Sequence, residues 1–351
     1  MNHLQGVPSG FVTPAKIVLE SARGKIARQL TEDGNGLQAT RQHIETEICP
    51  GLNLASISPR YYGFVTGGAT PAAQHADNIV TKFDQNVQVH LPNDTISTDV
   101  EFHALGLLCE LLRLEPDVWT HKIFTTGATA SNVIGFACAR DYVIAAAGKR
   151  LGADCNVAEH GLLDAMRRAE VEDVQVLTTV PHSSIGKAAS IVGLGRSSLK
   201  DISLQDDRHR FDHQKLEEAL CRPRTTSIIM VSGSEVNTGL FATNGSEEMQ
   251  YLRDLADRVG AWIHVDCAFG ALARVLPDGP EFAKVRSGID GLELADSITG
   301  DGHKLLNVVG GATLISSSSY AAKFRCPSLV LTDPDSPTIV DSSYRNTSLW
   351  A

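Results

Sequence analysis

Two segments of the sequence place reactive residues directly after predicted strands. TTGATASN, residues 125–132, has small and hydroxylated residues just before a predicted helix. The backbone N–H groups of such a turn can close around an anion, because a helix N-terminus carries about half a positive charge. An ordinary helix cap formed by Thr129 or Ser131 explains the same residues equally well. The segment therefore indicates either a phosphate site or a structural cap.

Asp266 ends an apolar run in HVDCAFG, and Lys304 follows another strand in DGHKLLN. A buried carboxylate needs a partner, and pairing with an arginine is the structural alternative for Asp266. Apolar neighbours favour a desolvated, nucleophilic amine at Lys304, whereas a solvent-exposed surface lysine is its alternative. A phosphate site, a carboxylate and a nucleophilic lysine at successive strand ends are together what pyridoxal phosphate requires.

Two further segments follow strands, VPHSS with His182 and SGSEVNTG with Thr238. In parallel α/β sheets ligands bind beyond the carboxyl ends of the strands, so both segments belong to the candidate site. A structural histidine and a plain loop are their alternatives. The sequence contains no GxSxG, no GxxxxGK[ST] and no complete GxGxxG, which disfavours the common hydrolase and nucleotide-binding classes.

Composition excludes several classes of function. The 31 Lys and Arg against 41 Asp and Glu give a net charge of −10, with no basic cluster to follow a phosphate backbone, so we expect no nucleic-acid partner. No apolar stretch approaches the ~18 residues of a membrane span, and a cytoplasmic protein is expected. The 7 cysteines are widely spread without a CxxC pair, which predicts reduced thiols and no metal site.

Alternation of helices and short β-branched runs from about residue 70 predicts an α/β fold with a mostly parallel sheet. The predicted strands are 118–124, 174–180, 227–232, 262–265, 295–299 and 311–316. The predicted helices are 13–32 with Pro14 in its first turn, 130–147, 184–192, 213–219 and 247–259.

At these residues the chain resembles the group II pyridoxal-phosphate-dependent decarboxylases, which include aromatic-amino-acid, histidine and glutamate decarboxylases. HVDCAFG is similar to the family's HVDAAYGG, DGHKLLN to its DGHKWLN, and SPRYYGFVTGGATPAAQHAD to its HPRFFGYV segment. The resemblance implies a fold-type I enzyme with three parts. These are an N-terminal helical segment (1–57), a large cofactor domain (58–325) and the start of a catalytic-loop region (326–351), and we expect most of the small C-terminal domain to be missing.

The resemblance also implies a role for each matching residue. Lys304 would bind the cofactor covalently, Asp266 would hold its pyridine nitrogen protonated, and His182 would stack on its ring. The remaining matches are Ala268 on the other ring face, Thr129, Ala130 and Ser131 at the phosphate, His303 beside the phosphate, Thr238 near the cofactor edge, and Tyr61 and Tyr62 near the substrate entrance.

The implied activity is removal of the α-carboxylate of an L-amino acid to give an amine and CO₂, by a homodimer. Two alternatives stay open. One is a different outcome on the same scaffold, either oxidative decarboxylation or aldol-type cleavage. The other is a truncated chain that binds cofactor but turns over little substrate.

Overall fold

The structure is a computed structural model that describes residues 12–29, 32–54, 68–85 and 90–309 and the backbone of 312–316. It divides into two compact units, Met1–Asp77 with Asn307–Val309, and Asn78–Leu306 with Gly310–Ala351. The domain boundaries predicted after residues 57 and 325 lie outside the described residues and stay predictions.

The described residues of the first unit up to residue 54 form two helices, α1 (Lys16–Lys25) and α2 (Gly36–His43), followed by a π-helical turn at Ile44–Ile48 and a 3₁₀ turn at Cys49–Gly51. Helix α1 is shorter than the predicted 13–32. Ala15 and Ile26 both have extended backbone angles and end the helix on either side. The placement of Pro14 in the first turn is therefore wrong, since it precedes the N-cap residue Ala15.

The second unit is built on a seven-stranded sheet with the order β1-β7-β6-β5-β4-β2-β3 among the described residues. All neighbouring pairs are parallel except the two that involve β7. The strands are β1 (His121–Thr125), β2 (Asp173–Thr178), β3 (Leu199–Asp201), β4 (Thr225–Ser232), β5 (Trp262–Asp266), β6 (Ser297–Asp301) and β7 (Ala312–Ser316). The predicted α/β fold with a mostly parallel sheet is confirmed.

Each predicted strand is present, but two details differ. Strand β1 begins three residues later than predicted, because the N–H groups of Val118 and Trp119 both bond the Glu115 carbonyl in a turn. Strand β3 was not predicted, since a strand of only three residues leaves no readable alternation of apolar and polar side chains.

Helices connect the strands and cover the sheet. Those predicted at 130–147, 184–192, 213–219 and 247–259 are confirmed within two or three residues. The helices are α3 (Pro71–Phe83), α4 (Ser97–Leu111), α5 (Ala128–Arg150), α6 (Val157–Arg168), α7 (Ser183–Ile191), α8 (His213–Leu220), α9 (Ser246–Val259), α10 (Ala283–Ser287) and α11 (Gly302–Leu305). No helix of the described segments is long and apolar enough to span a membrane.

Both faces of the sheet are buried. In β4, Ile228 and Met230 belong to one apolar cluster, whereas Ile229 and Val231 belong to the other. Successive side chains of a strand point to opposite faces, so this alternation shows a core layer on each side. By the same alternation Trp262, His264 and Asp266 of β5 share one face, the face that α5 covers.

The loops after β4 and β5 approach each other closely at two glycines. The Gly270 N–H donates to the Gly233 carbonyl at 3.0 Å. A Cβ added to Gly270 would lie 2.1 Å from that carbonyl oxygen, and one added to Gly233 would lie 2.6 Å from the Cys267 sulfur. Residues without a Cβ are therefore required where the two loops meet.

We expect Gly270→Ala to lower the free energy of unfolding by about 1–3 kcal/mol, because backbone has to move to admit the methyl group. Gly279→Ala is the matched control, since the nearest atom to its added Cβ is an ordinary contact at 3.9 Å. Urea unfolding measures both variants, and equal midpoints would show that the two loops can separate freely.

Candidate active site

The carboxyl ends of β1, β4, β5 and β6 meet at one edge of the sheet. Ser232, Asp266 and Thr299 are register neighbours on β4, β5 and β6. Thr125 of β1 and Asp301 of β6 both pair with Ala312 of β7. The start of α5, the loop after β4, the end of β5 and the start of α11 therefore lie side by side, as expected for a ligand site in an α/β sheet.

The N-terminus of α5 has no side-chain cap. Its N-cap residue is Gly127, and neither Thr129 nor Ser131 bonds the first amides, so the structural-cap interpretation of this segment is wrong. The Ser131 side chain is fully buried and its hydroxyl lies 2.7 Å from the Thr125 hydroxyl, which donates to the Gly127 carbonyl. Thr129 is exposed. The first-turn N–H groups of a 23-residue helix remain available to an anion.

Asp266 is 8% exposed at the end of β5, and its hydrogen-bond partners are neutral. Its Oδ2 accepts from Asn132 Nδ2 at 3.0 Å and its Oδ1 from the Ala268 N–H at 3.2 Å. Among the described residues no cation lies within ion-pair distance of Asp266, so the predicted alternative of an arginine partner is wrong. Within the described ranges, the Asp266 carboxylate therefore has hydrogen-bond donors but no cationic partner.

Asn132 joins Asp266 to a buried histidine. The side chains of Asn132 and His264 are both fully buried, and His264 Nε2 lies 2.9 Å from Asn132 Oδ1. His264 Nδ1 lies 2.7 Å from the Ser297 hydroxyl, which also accepts from Trp262 Nε1 at 2.9 Å. Burial lowers the pKa of His264 to about 3, so this imidazole is neutral at physiological pH.

His182 is the N-cap residue of α7. Its Nδ1 accepts from the Ser184 N–H at 3.3 Å and lies 2.8 Å from the Ser184 hydroxyl. The imidazole is exposed at the sheet edge. It therefore has a local structural function, capping α7, and its Nε2 makes no hydrogen bond to another described residue.

Lys304 is only 19% exposed and does not extend into solvent. Its Nζ lies 4.0 Å from the centre of the Phe269 ring and 3.8 Å from Asp301 Oδ2. Burial raises the pKa of Asp301 above its ordinary value, although the nearby Lys304 amine opposes that shift. The interpretation of Lys304 as a surface lysine is therefore wrong. Its amine lies over the ring of Phe269, which follows the end of β5 at Asp266.

The loop that contains Thr238 is organised by Glu235, which is buried. Glu235 Oε2 accepts from the N–H groups of Asn237 and Thr238 and from the Thr238 hydroxyl, all at 3.0 Å. Its Oε1 accepts from Asn237 Nδ2 at 2.7 Å. Burial alone raises the pKa of Glu235, but these hydrogen bonds outweigh it and hold the pKa below its ordinary value. Thr238 itself is exposed.

The other predicted site residues divide into two groups. Ala268 and Ala130 are half-buried at the same strand ends, and His303 is half-buried with its N–H donating to Asp301 Oδ1 at 2.9 Å. Tyr61 and Tyr62 lie outside the described residues. No group of three or more potential metal ligands is assembled within the described ranges.

Sequence reasoning missed three residues that build this edge, Asn132, His264 and Glu235. His264 stands in the HVDCAFG segment, and its alternation with Asp266 was a readable signal that both share a face. Asn132 follows the glycine-containing turn, but only the tertiary structure shows that it meets a carboxylate 134 positions away.

Comparison with known proteins agrees with this architecture. A family model described as the pyridoxal-dependent decarboxylase conserved domain matches residues 22–320. Aspartate 1-decarboxylase of Aliivibrio fischeri is 25% identical over 290 residues, 79% of this chain and 50% of the relative.

Two solved structures share the fold. The glutamate decarboxylase domain of a diaminobutyrate-pyruvate transaminase and L-2,4-diaminobutyrate decarboxylase from Vibrio parahaemolyticus superimposes with a TM-score of 0.69 at 21% identity, covering 90% of this chain and 64% of that one. Oryza sativa TDC, solved with PLP and tryptamine, gives 0.67 at 20% identity, with 92% and 63% covered.

The chain belongs to the pyridoxal-dependent decarboxylase family, because the family model covers most of its length. The predicted family, its fold and its cofactor class are therefore confirmed. The chain spans half of the length of the aspartate 1-decarboxylase that it matches.

We expect Glu235→Gln to lower the free energy of unfolding by about 1–3 kcal/mol, because glutamine offers one acceptor oxygen where two are used. A carboxyl group whose pKa is lower in the folded than in the unfolded protein stabilises the fold at pH values above its unfolded pKa of about 4.3. This stabilisation is lost as the pH falls through the folded pKa. The difference in the free energy of unfolding between wild type and Glu235→Gln should therefore become smaller below about pH 4.

Urea unfolding at several pH values measures this difference. Glu218→Gln is the control, since the Glu218 side chain makes an exposed hydrogen bond within α8. A pH-independent difference would mean that the charge of Glu235 does not hold the loop.

Proposed function

We propose that this chain is the cofactor-binding part of an enzyme that removes the α-carboxylate of an L-amino acid with pyridoxal phosphate. The observation that carries the proposal is the buried Asp266 carboxylate, which has only neutral partners among the described residues and ends the strand beside β6, the strand that leads into Lys304. A protonated pyridine nitrogen would supply the positive charge that this carboxylate lacks.

The residues of the sheet edge fit this cofactor. The uncapped first turn of α5 supplies free N–H groups for a phosphate, with Thr129 and Ala130 at its surface and Ser131 holding the turn to Thr125. His303, half-buried in the first turn of α11, lies beside the same anion in this proposal. The hydroxyl of Thr299 is buried next to Asp266 in the sheet register and has no hydrogen-bond partner among the described residues.

When bound, pyridoxal phosphate supplies a ring that accepts the electron pair released as the bond between Cα and the carboxylate breaks. Asp266 would hold the ring nitrogen protonated, which favours that acceptance. His182 would contact one face of the ring and Ala268 the other. Lys304 would provide the amine that holds the cofactor covalently. Thr238 borders the cofactor edge, and Tyr61 and Tyr62 border the substrate entrance.

We further propose a cytoplasmic homodimer. Helices α1 and α2 bury no residue, and Ile17 and Leu37 on them are 76% and 78% exposed, so their apolar side chains favour cover by a second copy. The six described cysteines form no disulfide with one another, as expected in a reducing compartment. Incubation with a panel of L-amino acids and cofactor, reading CO₂ and amine by mass spectrometry, tests the proposed reaction.

We expect Lys304→Ala to lose covalent attachment of pyridoxal phosphate, read as the visible absorbance of the attached cofactor and as borohydride-fixed cofactor on a peptide. Lys187→Ala is the control, because Lys187 is an exposed residue of the neighbouring helix α7. Borohydride-fixed cofactor on another lysine of the Lys304→Ala protein would contradict the assignment of Lys304 as the residue that attaches the cofactor.

We expect Asp266→Asn to retain covalently attached cofactor but to lower CO₂ release by roughly 10²-fold or more, the range for loss of one electrostatic partner of a reacting group. An amide has no charge with which to keep the ring nitrogen protonated. Asp254→Asn, an exposed position on α9, is the control. Unchanged turnover in Asp266→Asn would make Asp266 purely structural.

A further inference from the structure

A continuous chain of hydrogen bonds runs beneath the sheet edge from Trp262 to His182. It passes through Ser297 and His264 to Asn132, where it divides. One branch reaches Asp266, and the other reaches Ser184 at 3.2 Å and then His182. Asn132, His264 and Ser297 are completely buried and Ser184 is 2% exposed, so water does not replace these partners.

The direction of every bond on the first branch follows from Asp266. A carboxylate only accepts, so Asn132 must present its amide nitrogen to Asp266 and its oxygen to His264. Because that oxygen only accepts, His264 Nε2 must hold the single proton of the neutral ring. His264 Nδ1 then accepts from Ser297, and Ser297 oxygen accepts from Trp262 Nε1. Each proton along this branch is thus donated to one acceptor.

The second branch is fixed by the remaining proton of the same amide. Asn132 Nδ2 donates to the Ser184 oxygen, which leaves the Ser184 hydroxyl proton free to donate to His182 Nδ1. The Ser184 N–H faces the same nitrogen. With two donors directed at it, Nδ1 of His182 has to be an acceptor, and the neutral ring carries its proton on Nε2.

We propose that Asn132 is a positioning residue that sets two site groups at once, the orientation of the Asp266 carboxylate and the tautomer of His182. Its relevance to catalysis rests on the proposed function, in which Asp266 and His182 contact the cofactor. Through this shared amide His182 presents a hydrogen-bond donor, and not a lone pair, at Nε2. A change at Asn132 therefore alters both groups, although Asn132 contacts no cofactor itself.

Nitrogen NMR of histidine-labelled protein without cofactor tests the proposal, because it reports which ring nitrogen carries the proton. Signals are assigned by the loss of one histidine in His182→Gln and in His264→Gln. In wild type we expect the neutral form of each ring, His182 and His264, to carry its proton on Nε2. In Asn132→Ala, His264 loses the acceptor of its Nε2 proton and should shift, and His182 should become a mixture of both tautomers.

Ser184→Ala tests the branch to His182 without changing the branch to Asp266. It also tests the proposal if Asn132→Ala fails to fold. It removes the hydroxyl donor to His182, so the His182 signals should become a mixture while the His264 signals stay unchanged. Asn156→Ala is the control for loss of an asparagine at a helix start, since its side chain accepts from the Ala158 N–H in α6, and it should change neither histidine.

A His182 protonated on Nδ1 in wild type, or His182 signals unaffected by Ser184→Ala, would overturn the proposal. Because no cofactor is present, these outcomes are independent of the proposed function. Protein that shows the expected tautomers but never attaches pyridoxal phosphate would contradict the function and leave the positioning of His182 standing.

Discussion

The hydrogen bond between the Asn132 amide and the Asp266 carboxylate is the interaction on which the candidate site depends. It solvates a buried negative charge with a neutral donor, where an arginine or lysine would have neutralised it. Among the described residues this carboxylate is therefore hydrogen-bonded without a cationic partner, and a cationic group placed beside it would be attracted strongly in a region of low dielectric.

Placing this carboxylate requires a polar row inside an apolar layer. The alternation of β5 brings Trp262, His264 and Asp266 onto the face covered by α5, where Phe136 packs against the His264 ring with centroids 5.4 Å apart. Each unmet buried donor or acceptor costs about 1–3 kcal/mol, so a row of this kind is stable only when its members satisfy one another. The lowered pKa of His264 is the electrostatic counterpart, because burial disfavours the charged form of the ring.

The sequence predicted the fold class and most strands and helices because short β-branched runs and helical spacing are local signals. It also singled out Asp266, Lys304 and His182, since reactive residues after buried strands are visible as runs of letters. It could not distinguish a capped from an uncapped α5, because Thr129 and Ser131 suit both and only the packing of Ser131 against Thr125 decides. The sequence could not identify Asn132 as a site residue, because the role of its amide arises from contacts with β5 and α7.

Strand β7 lies between β1 and β6 and is antiparallel to both. Among the described strands, every hydrogen bond that joins β1 to the sheet is therefore made to β7, the last of them in chain order, although β1 is the first. During synthesis β1 must wait for residues 312–316 before it can join the sheet, which raises the contact order and slows folding. Strand β1, which leads into α5, can therefore join the sheet only after the strands that carry Asp266 and Thr299 have been synthesised.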